Sequence, residues 1–250
     1  MIALITGASS GLGHDMALYL SSLGYDLILV ARRKERLEQL AQAVSTNAQI
    51  IALDLALEEN CYTLYEQVKN QNIDILINDA GYGLFGAFSQ TPIKEDAGMI
   101  DINIKALHLL MKLFLNDMRA RNAGYILNVA SSAAFAPGPM MATYYASKAF
   151  VLRLSEAVYQ ELKEEHSKVV ISTLCPGPVK TEFNKTASVS FKMKGMSSVE
   201  VSKYAIDSMF KKKLVIIPGF TMKMAKILAT ILPNKWILKV VYRFSTAFTE

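Results

Sequence analysis

The chain of 250 residues has two cysteines, three histidines and one tryptophan. Cys61 and Cys175 lie far apart in apolar or helical-looking stretches, which predicts buried, reduced thiols in a reducing compartment. His14, His108 and His166 are equally scattered. No metal-ligand spacing results, so no metal is expected. Long apolar runs are also missing. None reaches the roughly 18 uninterrupted residues that argue for a membrane-spanning helix. A strand-like run, Met1 to Ile5, starts the chain with no charged leader before it, so no signal peptide is expected and the default location is the cytoplasm.

Acidic residues are absent from one long stretch. Between Ser208 and Thr249 stand Lys211, Lys212, Lys213, Lys223, Lys226, Lys235, Lys239 and Arg243, with no Asp or Glu. The net charge of +5 therefore describes a basic tail on a nearly neutral body, and nucleic acid is not an expected partner. Hydrophobic residues at 52% and charged residues at 20% exclude disorder and suit a sheet covered on both faces. The length fits one large domain with a sizeable core.

Short apolar runs alternate with longer amphipathic segments, the pattern of βαβ units. Strands are expected at Ile2–Ile5, Asp26–Ala31, Gln49–Leu53, Ile73–Ile77, Tyr125–Val129, Val169–Cys175 and Leu214–Ile217. Helices are expected near His14–Leu23, Glu35–Val44, Cys61–Lys69, Ile100–Arg121 and Thr143–His166. The prediction is a single α/β domain over 1–250, with a doubly wound, seven-stranded parallel sheet and ligands at the strands' carboxyl ends. Residues 182–200 read as a mobile substrate loop. Residues 219–248 read as a C-terminal helical extension broken at Pro233, with Trp236, Ile237, Val240, Val241 and Phe244 along one face of its second helix.

Thr6-Gly7-Ala8-Ser9-Ser10-Gly11-Leu12-Gly13 follows the first strand and precedes a helix. Glycines permit the tight turn and bring backbone N–H groups up to a pyrophosphate at the helix's positive end. After the second strand, roughly 20 residues past the glycines, an acid would bind the ribose hydroxyls of NAD. Alanine and then Arg32 and Arg33 stand there instead, and guanidinium groups suit the 2′-phosphate of NADP(H). Tyr144 and Lys148 lie one helical turn apart on a shared face. An ammonium so placed favours the phenolate and lets the tyrosine exchange a proton nearer neutral pH.

This combination resembles the short-chain dehydrogenase/reductase family over nearly the whole chain. The glycine turn matches through Gly7, Ser9, Ser10, Gly11, Leu12 and Gly13. Asp54, after the third strand, matches the residue that contacts adenine. Asn78-Asp79-Ala80-Gly81 is similar to the family's Asn-Asn-Ala-Gly turn, with Asp79 as a departure that alters local hydrogen bonding. Asp101-Ile102-Asn103 matches the segment whose asparagine holds a relay water. Ser131, Tyr144 and Lys148 fall on catalytic positions, and Pro176, Gly177, Val179 and Thr181 on the turn that places the nicotinamide. The resemblance implies a Rossmann-like fold and a mechanism. Ser131 holds the substrate oxygen, Tyr144 donates a proton, and Lys148 lowers the Tyr144 pKa while holding the ribose. Asn103 resupplies the proton, and NADPH supplies hydride.

Tyr82, Leu84, Phe85, Phe135, Met140 and Met141 lie beside these turns, with the two methionines in a Pro-Gly-Pro loop expected near the surface. They suggest apolar bulk beside the substrate carbonyl. The expected protein is an NADPH-dependent carbonyl reductase or alcohol dehydrogenase acting on a small-molecule carbonyl or alcohol, and a homo-oligomer. A non-catalytic nucleotide sensor that docks a partner or membrane through its basic tail is the alternative. For the tail itself, packing in the domain or between subunits is favoured over lipid contact.

Overall fold

The computed structural model describes residues 1–183 and 195–246, with side chains to Arg243. Strands β1 (Ile2–Thr6), β2 (Asp26–Ala31), β3 (Ala48–Ala52), β4 (Ile73–Asn78), β5 (Tyr125–Val129) and β6 (Val170–Leu174) alternate with helices. With these helices, α1 (Gly11–Ser22), α2 (Lys34–Ala43), α3 (Glu58–Val68), α4 (Ile93–Ile100), α5 (Leu107–Ala120) and α6 (Ala142–Glu164), they make up the first two thirds of the fold. The two-residue strands β7 (Val179–Lys180) and β8 (Met196–Ser197) pair with each other. Helix α7 (Ser198–Phe210), strand β9 (Val215–Ile216), and helices α8 (Phe220–Ile231) and α9 (Asn234–Thr246) follow.

The seven-stranded sheet has the order β3-β2-β1-β4-β5-β6-β9, with every pair parallel. Strand order reverses between β1 and β4, which opens a crevice at their carboxyl ends. Alternation decides the layers. Ala3 and Ile5 of β1 pack with Met16, Leu20, Leu37 and Ile206, so α1, α2 and α7 cover one face. Leu4 packs with Leu64, Phe114 and Leu162, so α3, α5 and α6 cover the other. Both cysteines are buried and unpaired.

Three differences from the sequence reading have physical causes. The helix expected from Ile100 begins earlier, at Ile93, and widens to a π-helical turn over Asp101–Ala106 before continuing as α5. Such turns break a simple 3.6 period. Helix α7 went unread because Ser198, Ser202 and Ser208 dilute its apolar face; all three meet the protein interior. The expected substrate loop thus ends earlier, since Met196–Ser197 is strand and Ser198 starts α7, while 184–194 lie outside the described residues. Phe244 and 247–248 of the C-terminal extension also fall beyond what is described. The break between its helices falls at Leu232 and Pro233, because proline cannot supply the N–H a continuing helix needs.

Candidate active site

The carboxyl ends of β1 and β4 are tied by one hydroxyl. Thr6 Oγ1 donates to the Ile77 carbonyl and accepts from the Asp79 and Ala80 N–H groups, at 3.1 Å each. This brings the turn after β4 against the glycine turn so closely that only glycine fits. A Cβ on Gly7 (φ +73°) would lie 2.9 Å from Ala80 N, and one on Gly13 would lie 2.8 Å from both Gly7 O and Asp79 Oδ2. Gly11 has φ +60°. The N-terminus of α1 therefore faces an open cradle of backbone N–H groups, suited to a pyrophosphate. Beside it is a cleft of about 950 Å³ lined by Ser9, Ser10, Gly11, Arg36, Thr181 and Glu182.

The far side of that cleft is basic. Arg33 donates to the hydroxyls of Ser9 and Ser10 at 3.0 and 2.9 Å, and to Glu182 at 3.1 Å. Arg36 reaches the same carboxylate at 2.8 and 2.7 Å. Together the two guanidinium groups hold Glu182 below the usual carboxylate range. The pair differs from the expected Arg32 and Arg33. Arg32 turns outward toward Asp54 at 3.9 Å with 72% of its side chain exposed, and Arg36, one helical turn beyond, takes the inner place. That a carboxylate already bridges Arg33 and Arg36 shows the spot accepts an anionic group.

Ser131 follows β5, and Tyr144 stands in the first turn of α6 with its ring buried. The Ser131 hydroxyl accepts the Ala133 N–H at 3.2 Å and stands close enough to the Tyr144 phenol to draw its pKa down. Lys148, one turn on, is buried with Nζ 5.8 Å from the Tyr144 ring centre and donating to the Val129 carbonyl at 2.9 Å. Gly81 passes close by, where a Cβ would stand 3.7 Å from that nitrogen. Tyr145 instead lies against Gly138, and Ser132 spends its N–H on the Pro176 carbonyl.

The electrostatics depart from the sequence expectation. Burial pushes the Tyr144 phenol up to about 12, opposed by the Ser131 hydroxyl and reinforced by Asp79. The affinity of Lys148 for a proton is reduced by burial, and its nearby charge is Asp79. Asp79, half-buried, is itself shifted upward by desolvation, against the pull of Lys148 and of the Gly13 N–H it accepts.

Several expected contacts have other partners. The Asn78 amide donates to Asn128 Oδ1 at 2.9 Å inside the core, so its side chain braces β4 against β5 and does not face the cleft. Asn103 has both amide protons committed, to the Tyr82 carbonyl (2.9 Å) and Ser147 Oγ (3.0 Å), and its oxygen accepts the Tyr82 N–H. Thr181 rests its methyl 3.3 Å from where a Gly11 Cβ would be. Asp54 accepts the Ala56 N–H at 3.1 Å.

The apolar pocket residues divide. Tyr82, Leu84 and Phe85 pack with Met99, Met141 and Tyr144, whereas Phe135 joins the cluster under α8. Met141 is buried, contrary to its expected surface place, because Met140 takes φ +70° and turns the chain inward. Phe183 lies tilted, with its ring centre 5.3 Å from that of Tyr144, and crowds Gly83. Arg36, Asp79, Glu182, Phe183 and Thr6 are the site residues the sequence reading did not assign. For Arg36, its place four residues past Arg32 on a helix was the available signal.

A glycine cradle at a sheet's switch point, beside a half-buried serine and a buried tyrosine and lysine, defines a dinucleotide-dependent oxidoreductase. The family model for short chain dehydrogenases matches residues 1–190. An uncharacterised oxidoreductase of Staphylococcus epidermidis is 32% identical over 182 residues, covering 72% of this chain and 78% of its own. A very-long-chain 3-oxoacyl-CoA reductase of Phaeosphaeria nodorum is 37% identical over 171 residues, covering 64% of this chain and 50% of its own. Among solved structures, a short-chain dehydrogenase from Sphingobium yanoikuyae in complex with NADPH superposes with TM-score 0.82 at 28% identity, covering 93% of this chain and 96% of the other. The bulky-bulky ketone specific alcohol dehydrogenase of Comamonas testosteroni gives 0.79 at 28%, covering 93% and 95%. The chain belongs to the short-chain dehydrogenase family.

Proposed function

We propose that the protein is an NADPH-dependent carbonyl reductase for an apolar ketone or aldehyde, and in reverse an alcohol dehydrogenase. One observation carries the reading: Tyr144, buried beside the glycine cradle, has Lys148 one turn away with Nζ 5.8 Å from its ring centre. The Ser131 hydroxyl holds the substrate oxygen. Tyr144, kept protonated by burial, passes its proton to that oxygen as the carbonyl carbon becomes an alcohol carbon. Lys148 holds the nicotinamide ribose and supports recharging of the phenol.

The cofactor, when bound, supplies the hydride. Its pyrophosphate is assigned to the Gly7–Gly13 turn and its adenine to Asp54. Arg33 and Arg36 are assigned to the 2′-phosphate, and Ala80, Gly81, Pro176, Gly177, Val179 and Thr181 to the nicotinamide end. Asn103 serves by locking Tyr82 and Ser147 against α6, so it positions Tyr144. Aromatic and methionine side chains around Tyr144 support apolar bulk on the substrate. The likeness to the Phaeosphaeria reductase favours a long acyl chain as one form of that bulk.

The test is a panel of ketones and aldehydes screened by loss of NADPH absorbance, with Tyr144→Phe in parallel. Turnover that falls about 10³-fold in the variant, with unchanged NADPH affinity, is expected. Full turnover by Tyr144→Phe would remove Tyr144 from the acid role. NADPH binding without turnover of any carbonyl would favour a nucleotide-sensing role.

A further inference from the structure

The C-terminal helices leave an uncovered apolar surface. On α8, Phe220, Met224, Ile227 and Ile231 follow at helical spacing, so they form one stripe, with Leu228 at its side. Phe220 is 78% exposed and Ile231 73%. The opposite side of α8 meets the domain. Met222 joins the cluster beneath and lies against Gly177, and Lys226 stands 5.6 Å from the Phe135 ring centre. On α9, Ile237 is buried, while Trp236 is 68% exposed and Val240 and Tyr242 about half.

Packing of α8 and α9 on the domain therefore leaves Phe220, Ile231 and Trp236 uncovered. The charge around them has one sign. Lys223 flanks the stripe of α8, and Lys235, Lys239 and Arg243 follow one another a turn apart on α9, between Trp236 and Val240 on one side and Leu238 and Tyr242 on the other. No acidic residue occurs from Ser208 to Thr249. A second copy of this chain would place the same cations against themselves across a two-fold contact. An anionic surface that also accepts apolar side chains complements both features. No helix among the described residues is long and apolar enough to cross a membrane, so the contact lies in the plane of the surface.

We propose that α8 and α9 form a docking face for an anionic lipid bilayer, with Phe220, Ile231 and Trp236 entering the interface and Lys223, Lys235 and Lys239 meeting phosphate headgroups. Met222, on the inner side of α8, lies against Gly177, so docking places the bilayer across one helix from the turn assigned to the nicotinamide. The docking itself does not depend on the proposed activity.

Trp236 is the only tryptophan, so its emission reports this face alone. The full chain is titrated with vesicles of phosphatidylglycerol and phosphatidylcholine in equal parts, with pure phosphatidylcholine vesicles, and in buffer with light scattering. Expected with the anionic vesicles are a blue shift of emission and co-sedimentation, both weakened at high salt. Pure phosphatidylcholine should give at least tenfold weaker binding. Each basic group near an anionic surface is worth about fivefold in partitioning, so Lys235→Gln with Lys239→Gln should lower it about 25-fold. Ile231→Ser, an exposed change that leaves the fold intact by circular dichroism, should remove the blue shift of Trp236 or lessen it. The proposal is overturned if anionic vesicles neither shift the emission nor sediment the protein. Equal binding to both lipid compositions, or a dimer in buffer that already buries Trp236, overturns it as well.

Discussion

The N–H of Gly13 donates to Asp79 Oδ2 at 2.8 Å, so a half-buried carboxylate caps the helix end that faces the cofactor cradle. The negative charge there is drawn to the positive helix terminus but competes with a pyrophosphate for it. Asp79→Asn keeps an acceptor for Gly13 and removes the charge, so NADPH should bind several-fold more tightly. Asp79→Ala leaves the N–H without its partner and should cost about 1–3 kcal/mol in a denaturant titration. Equal stability of Asp79→Ala and wild type would show that the bond contributes nothing.

Glu182 occupies the guanidinium pair assigned to the 2′-phosphate. Replacing it with glutamine should tighten NADPH severalfold and leave NADH unaffected. Arg36→Leu should weaken NADPH about tenfold, the loss of one charge-assisted contact, again sparing NADH. Calorimetric titration of both dinucleotides decides the matter. Parallel shifts for NADPH and NADH would place the phosphate elsewhere.

Phe183 lies where substrate must approach Tyr144. Phe183→Ala should lower KM for bulky ketones and leave the dissociation constant of NADPH near its wild-type value. A small aldehyde should respond less. If KM rises for every substrate, Phe183 contributes to the binding wall and does not obstruct it.

Burial holds the Tyr144 phenol at about 12. The acid role needs the protonated form, which predominates below that value. Reduction should therefore be level through neutral pH and fall only under strongly alkaline conditions. Alcohol oxidation needs the phenolate, whose fraction grows tenfold for each pH unit below the pKa, so its kcat/KM should climb across the same range. An oxidation rate that is level from neutral pH upward would mean that Tyr144 ionises much lower once cofactor is bound.

The order of strands and most helix positions were legible because apolar runs of strand length alternate with amphipathic ones, and β2 and β5 fall where the residues place them. The pairing of Tyr144 with Lys148 was legible because the two are neighbours on one helix. The cleft's anion site was not. Arg36 and Glu182 are far apart in sequence and meet only once β7 follows β6 across the sheet edge. Local spacing points to Arg32, whereas the contact with Glu182 singles out Arg36. The surroundings of Tyr144 were hidden for a similar reason. Spacing reveals that Lys148 is near, while the desolvation of both groups and the presence of Asp79 belong to the folded interior.

Asn78, Asn128 and Ser155 form a chain of hydrogen bonds through the buried centre, linking β4 to β5 and β5 to α6. These three residues are synthesised far apart in time. A chain that has emerged only through β5 lacks the serine that accepts from Asn128, and sealing that amide from water at that stage is unfavourable. The helix that brings this serine, α6, also carries Tyr144 and Lys148, so the buried centre of the sheet and the candidate site depend on one and the same element.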